Sequence, residues 1–171
     1  MNKNWHGIMK LLEVSKLDCF GNIVYQQKNI LNMLHNTGEQ YIINSAFISS
    51  KADNFYFGLD ARATIAAEDT MVTITNNGNE PTINGYSRVM VSGSGGFTLG
   101  VASGVYLAQG PVVSFSATGG SWGPVKNLFL TTKSDNTGIL IASAALSENT
   151  ILNSGETLNV RLALTLKDIT V

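Results

Sequence analysis

An alternation of apolar and polar residues near the C-terminal end constrains the fold of this chain more than any other feature. From Leu158 to Leu166 every second residue is apolar, and the residues between them are Asn159, Arg161, Ala163 and Thr165. Because successive side chains of a β-strand point to opposite faces, this spacing predicts a long strand with one face buried and the other exposed. Such a strand belongs in an antiparallel sheet that packs one face against a core.

Shorter segments of the same kind fill most of the remaining chain. Clusters of Gly, Asn and Ser separate short apolar runs at intervals of roughly 8–12 residues, as in all-β folds. Candidate strands occupy residues 54–60, 71–75, 86–92, 96–103, 111–117, 125–132 and 139–146. Their number and spacing predict a mainly β protein, a single jelly-roll-like antiparallel β-sandwich over residues 1–171.

The N-terminal end is predicted to form a β-hairpin. Apolar segments at residues 5–14 and 22–26 flank Asp18 and the Gly21-Asn22 pair, which favour a turn. The first strand would begin at Trp5. Residues 1–10 are also a candidate contact arm.

The helical region is predicted to lie just after this hairpin. Apolar residues at helical spacings indicate a short helix at about 29–35 and a second helix at about 38–49. Thr37 and Gln40 have the spacing of a capping box, so the second helix should begin there. His35 would then lie at a helix end and could face the negative end of a helix dipole.

Charged residues are scarce in this chain. Its 171 residues include 11 basic and 12 acidic side chains, with a net charge of −1, and only 13% are charged. A nucleic-acid-binding protein needs a basic surface, and the sequence has no basic cluster, so we expect no nucleic-acid partner. No apolar run reaches the roughly 18 residues of a membrane span, and no secretory signal is recognisable, so we expect no membrane partner. A surface so poor in charge favours burial against other subunits.

The sequence has no constellation typical of an enzyme. His6 and His35 fall in different segments, and Cys19 has no second cysteine with which to form a disulfide. No His/Cys cluster has the spacing of a zinc site, and the glycine-rich segment 93–100 lacks the lysine of a phosphate loop. We therefore predict no catalytic residues, no metal and no cofactor.

Three weaker alternatives remain open at this point. The segment 133–138 has oxygen ligands for calcium but lacks the closing glutamate, so a plain turn is expected. Trp122 is a candidate aromatic platform for a sugar ring. Carboxylates that a glycosidase could use as acid and base are Asp53, Asp60, Glu68 and Asp69.

Several segments, in their order along the chain, resemble a group of tailed-bacteriophage virion proteins. In that group a hairpin with a Gly-Asn turn precedes a helix, a strand that ends in Gly-Leu follows, and the chain closes on a Gly-Asp-Thr-Leu-Asn-Val segment. The resemblance covers most of the chain except the loop at about 76–85 and residues 100–124. The segments that carry it are WHG (5–7), EV (13–14), GNIVYQQKNILNMLHNTGEQYIINSAF (21–47), FYFGLD (55–60), AAEDTM (66–71), YSR (86–88), NLFLTT (127–132), TGILIASAALS (137–147) and SGETLNVRLALTL (154–166).

The resemblance implies a virion structural part, above all a capsid decoration or cement protein. Such a protein would lie on the capsid surface, after assembly in the host cytoplasm, and would bind the major capsid protein as a homo-oligomer, a dimer or trimer. The expected contact residues are Trp5, His6, Met9 and Trp122. An alternative is a tail or head-fibre component that binds receptor glycans.

Overall fold

A computed structural model describes residues 8–48, 51–76, 79–102 and 104–165. Within these ranges lie nine strands and two helices. The strands are β1 (Ile8–Leu17), β2 (Ile23–Leu34), β3 (Asn54–Asp60), β4 (Val89–Ser92), β5 (Thr98–Ala102), β6 (Val105–Ser116), β7 (Trp122–Thr131), β8 (Leu140–Leu152) and β9 (Thr157–Thr165). The helices are α1 (Asn36–Phe47) and α2 (Met71–Thr75).

All strand pairs are antiparallel, in the order β4-β3-β7-β8-β2-β1-β9-β6-β5. The link between β2 and β8 consists of two residue pairs only, Met33 with Ser143 and Leu34 with Ala142. At this narrow link the strands divide into two sheets that share β2 and face each other. The predicted antiparallel β-sandwich is therefore confirmed.

One hydrophobic core fills the space between the two sheets. The sheet that contains β9 contributes Leu158, Val160 and Leu162, and the other contributes Leu59 and Leu128, all almost completely buried. The alternation near the C-terminal end thus has the predicted consequence, because the apolar positions of β9 enter the core and Arg161 stays exposed.

The N-terminal hairpin is also confirmed. β1 and β2 pair along their length, from Ile8 with Met33 to Leu17 with Ile23. Residues 8–10 belong to β1 and are part of the sheet, and the contact role of residues 1–10 stays a prediction. Trp5, the predicted start of the first strand, lies outside the described residues.

The predicted helix at about 29–35 is wrong. These residues continue β2, which pairs with β1 up to Met33 and with β8 at its end. The local apolar spacing fits a helix, but pairing with two neighbouring strands and burial of Leu34 in the core decide the conformation instead. Asn29 has a φ of 59°, a left-handed conformation that asparagine tolerates better than most residues. The second predicted helix is present, and it begins at Asn36.

The strand predicted at 71–75 is wrong as well, because these residues form α2. The hydroxyl of Thr70 accepts from the N–H of Thr73, and the hydroxyl of Thr73 accepts from the N–H of Thr70. Met71 and Ile74, three residues apart, are buried beside Phe129 and Leu140. Reciprocal capping and one buried face outweigh the strand preference of β-branched residues.

Helix α1 packs directly on β8 through a glycine. A Cβ atom built on Gly38 would lie 2.1 Å from the carbonyl oxygen of Ile141, so no side chain fits there. The Thr37 hydroxyl donates to the carbonyl of Leu140 at 2.6 Å and fixes the same end of the helix.

Neither helix in the described part of the chain is long and apolar enough to span a membrane.

Candidate functional site

Arg62 lies at the centre of a buried polar cluster. Its Nε and Nη2 atoms donate to the two carboxylate oxygens of Asp60 at 2.9 and 3.0 Å, and its Nη1 donates to Asp69 Oδ2 at 2.6 Å. Asn127 Nδ2 donates to Asp60 Oδ1 and to the carbonyl of Arg62, each at 2.9 Å. Burial of charges is unfavourable unless they are paired and hydrogen bonded, and these three charges are both.

A histidine and a serine meet in the same cluster. His35 Nδ1 lies 2.9 Å from the carbonyl oxygen of Ala66, which can only accept, so this nitrogen carries the proton. His35 Nε2 then accepts from the Ser143 hydroxyl at 2.8 Å, and Arg62 Nη2 donates to the same hydroxyl at 2.9 Å. Burial lowers the pKa of His35, and the positive charge of Arg62 adds to this effect, so the ring is neutral at neutral pH.

A serine bonded to a neutral histidine is the pairing that activates the nucleophile of many hydrolases. Here His35 and Ser143 both have 0% of their surface exposed. A substrate therefore cannot reach the hydroxyl in this structure. We therefore interpret the cluster as structural. Its hydrogen bonds connect β3, β7, β8, the start of α1 and the loop that carries Arg62.

These contacts correct the sequence interpretation of His35. It occupies the N-cap position of α1 and not the C-terminal end of a helix, so it does not face a negative dipole end. Of the four carboxylates considered for a glycosidase, Asp60 and Asp69 lie close together, and both form ion pairs with Arg62. Asp53 and Glu68 are exposed. An Asp-x-Arg sequence with a second Asp, in a chain so poor in charge, was the signal that could have predicted the cluster.

A second ion pair fixes the turn at 133–138. Arg88 donates to the carboxylate of Glu80 through Nε at 2.8 Å and Nη2 at 2.6 Å, and its Nη1 donates to the carbonyl of Asp135. The side chain and N–H of Thr137 donate to Asp135 Oδ1 at 2.7 and 2.8 Å, which lowers the pKa of Asp135. The predicted turn is confirmed. No group of three or more metal-binding side chains occurs among the described residues.

Trp122 lies in the wall of an open cavity of about 400 Å³. Polar and apolar side chains share this cavity, among them Asn79, Glu80, Ile83 and Lys126. Trp122 itself is only 4% exposed, and its ring meets the ring of Tyr86 edge to face at 5.5 Å. It therefore does not present the exposed platform considered from the sequence, and it has little side-chain area to offer to a partner.

The other expected contact residues are placed only in part. Met9 lies in β1, where it pairs with Asn32 of β2 and Leu164 of β9. Trp5 and His6 lie outside the described residues, and their role stays a prediction.

Nine of the exposed large apolar side chains of the described residues fall into three groups. The first is the β1–β2 hairpin tip, the second is the C-terminal end of α1, and the third lies on β5 and β6. Exposed apolar side chains are common on protein surfaces, so exposure alone does not assign a binding role to any of these groups. The residues concerned are Phe20, Ile23 and Val24 at the tip, Ile43, Phe47 and Ile48 on or next to α1, and Leu99, Val101 and Tyr106 on β5 and β6.

The hairpin tip, residues 18–24, holds its aromatic residue on a rigid turn. The carboxylate of Asp18 accepts from the N–H of Phe20 at 2.9 Å, from the N–H of Asn22 at 2.8 Å and from Asn22 Nδ2 at 3.0 Å. These hydrogen bonds, that of the Asn22 side chain above all, lower the pKa of Asp18. Gly21 closes the turn with a φ of 84°. Phe20 remains 85% exposed on this turn, beside Ile23 and Val24.

These observations define the chain as an antiparallel β-sandwich with a fully hydrogen-bonded buried polar cluster and a preorganised apolar tip. No family model, curated protein or solved structure matches it.

Proposed function

We propose that this chain is a structural protein of a bacteriophage virion, a decoration protein that binds the shell of major capsid protein and stabilises the head. The order of segments that resemble phage virion proteins supports this proposal. So does a surface that is poor in charge and rich in exposed apolar side chains. The protein works by covering and connecting shell subunits, and no chemical step is involved.

The presentation of Phe20 carries this proposal. Phe20 is 85% exposed, and full burial of such a side chain by a partner would contribute about 1.5–3 kcal/mol to binding. Because three hydrogen bonds to Asp18 already order the turn, little conformational entropy is lost when Phe20 enters a pocket of a partner. Phenylalanine is among the residues that are enriched at protein interfaces.

The partner is the outer surface of the assembled shell. Each contact is small, and a repeated lattice multiplies weak contacts when the protein binds as a homo-oligomer. We expect the protein at the capsid surface of the finished particle and in the host cytoplasm before assembly.

The binding test compares two phenylalanines of equal exposure. Phe20→Ser should weaken binding to purified shells by about tenfold or more, as the loss of a central aromatic contact does. Phe47→Ser is the matched control, because Phe47 is 84% exposed but lies at the end of α1. Equal binding of wild type and Phe20→Ser would contradict the contact at the tip. Removal of residues 1–7 in the same assay tests the contact predicted for Trp5 and His6.

Electron cryo-microscopy of the particle tests the location. Density for the sandwich on the shell supports the proposal. Density on the tail or on a fibre would instead support the receptor-binding alternative, for which the open cavity beside Trp122 would be the place to search for a glycan. Absence of the protein from the particle would reject both.

A further inference from the structure

The two edges of the β-structure are not equivalent. β4, at one edge, has four residues, and the turn after it folds back along its end, so that a Cβ atom on Gly96 would lie 2.2 Å from the carbonyl oxygen of Ser92. β5, at the other edge, has the sequence TLGVA and pairs only with β6. Its far side therefore has N–H and C=O groups without strand partners in the described structure.

β5 is short, but within the described residues it lacks the sequence devices that protect many edge strands. Natural edges carry lysine, proline, a bulge or an inward charge, because an open edge pairs with other chains. β5 has no charged residue and no proline, and its pairing with β6 is regular over five residue pairs. Its side chains Leu99 and Val101 are 78% and 61% exposed.

We infer that β5 pairs antiparallel with β5 of a second copy of this chain, about a two-fold axis at Gly100. The inference rests on the proposed function in one respect, since it names the partner and the surface for the homo-oligomer proposed there. It concerns contact between two copies, away from the hairpin tip, so each of the two proposals can fail without the other.

The sequence of β5 fits its own reversed copy. Gly100 has one aliphatic residue on each side, so Leu99 would stand opposite Val101 of the second copy and Thr98 opposite Ala102. Centring at Gly100 is the register that keeps side chains on the same face and pairs all five residues. Because β5 has no charge, the pairing brings no like charges together.

The faces of the paired strands would match as well. In the pairing of β5 with β6, Leu99 stands beside Ala108 and Val101 beside Tyr106. Ala108 in turn stands beside Leu164 of β9, which packs against the core. Pairing would therefore extend the apolar face of the sheet across the two-fold axis, with Tyr106 beside Val101 and then Leu99 of the second copy. Specific interfaces bury about 1,200 Å² or more, and two five-residue strands with these side chains lie near or below that limit, so the dimer should be weak and reversible.

Sedimentation velocity tests the inference with a matched pair of variants. Wild type should shift from 18.3 kDa toward twice this mass as its concentration rises to about 100 µM, where a dimer with a Kd of about 10 µM is mostly formed. Leu99→Lys should raise the Kd by about tenfold or more, because a lysine must then lie in the paired edge. Met90→Lys is the control, since Met90 is 56% exposed on β4, a strand that does not pair with β5. Equal melting curves of the two variants verify that both are folded.

Cross-linking tests the register in a Cys19→Ser background. Gly100→Cys should form an intermolecular disulfide, because the two Gly100 residues would face each other, and its Cβ has room at 3.4 Å from the Leu107 side chain. Thr98→Cys should not, because the two Thr98 residues would lie about 13 Å apart along the strands. A monomeric wild type at about 100 µM, an unchanged Kd for Leu99→Lys, or cross-linking by Thr98→Cys in place of Gly100→Cys overturns the inference. A dimer of wild type that does not bind shells overturns the proposed function alone.

Discussion

At the residue scale, the buried polar side chains were the least predictable part of this protein. The sequence shows that Asp60, Arg62 and Asp69 are charged, but their meeting depends on the sheet register and on the loop after β3. The contact between His35 and Ser143 joins residues that are 108 positions apart, and no local pattern encodes such a distance. The apolar positions of β9 were predictable because their spacing alone fixes the face on which they lie.

Replacement of Arg62 by leucine should strongly destabilise the fold. Arg62→Leu leaves Asp60 and Asp69 buried without a cation, and removal of one partner from a buried ion pair costs about 3–5 kcal/mol. Urea unfolding measures the free energy of unfolding of the variant. Arg161→Leu is the control, because Arg161 is exposed and should change stability by no more than about 0.5 kcal/mol. A loss below about 1 kcal/mol for Arg62→Leu would show that water or a shifted proton satisfies the carboxylates.

Stability should fall as pH decreases below about 6.5, the pKa of histidine in an unfolded chain. Because burial lowers the pKa of His35 in the folded protein, the unfolded chain binds a proton first, and protonation favours unfolding. The effect should be absent above pH of about 7 and should grow down to the folded pKa of His35. The free energy of unfolding, measured across this range, should depend less on pH in His35→Gln, whereas His6→Gln serves as the control for the other histidine. Equal pH dependence of wild type and His35→Gln would contradict the burial argument.

At the scale of elements, alternation predicted most of the strands, and local spacing predicted one helix correctly and one wrongly. The strand predicted at 54–60 matches β3, and the hairpin turn lies where Asp18 and Gly21 placed it. The errors at 29–35 and 71–75 have one cause. Each segment is short, so contacts beyond its own apolar spacing decide its structure. Pairing with β1 makes the first segment a strand. The Thr70–Thr73 cap and burial against Phe129 make the second segment a helix.

Gly38→Ala should destabilise the protein although it improves a helix. In an exposed helix, alanine in place of glycine gains about 1 kcal/mol. At Gly38 the added Cβ would meet the Ile141 carbonyl at 2.1 Å, which is backbone and cannot move aside, so a loss of about 1–3 kcal/mol is expected from overpacking. Asn44→Ala, at an exposed position of the same helix, is the control and should be neutral or stabilising. Thermal unfolding compares the two variants, and a stabilised Gly38→Ala would mean that α1 is not held against β8.

At the scale of the whole molecule, composition and strand spacing were enough to predict a sandwich but not its exposed surface. The strand order, with β9 between β1 and β6, and the narrow link between β2 and β8 depend on long-range pairing. An anchor such as Phe20 has no sequence signature, because an exposed phenylalanine and a core phenylalanine look alike in a sequence. Only the fold shows that β5 is an edge.

Loss of pairing at β5 should weaken attachment to shells although the hairpin tip is intact. If two copies bind together, Leu99→Lys should lower the apparent affinity for shells by about 100-fold, because a second contact within one complex acts at high effective concentration. Met90→Lys should bind as wild type does. Quantitative pelleting with purified shells measures both affinities. Equal affinity of Leu99→Lys and wild type would mean that each copy attaches independently.

The register also fixes where the two tips of such a pair would lie. Across β5, β6, β9 and β1, Gly100 pairs with Leu107, Leu107 with Thr165, and Thr165 with Ile8, so Ile8 lies level with the two-fold axis. Leu17, at the base of the tip, is nine residues further along β1, a distance of about 30 Å. Antiparallel pairing points the two hairpins in opposite directions, with about 60 Å between their phenylalanines along the strand direction. A pair of this shape would present two separate contact points to a shell, one at each end.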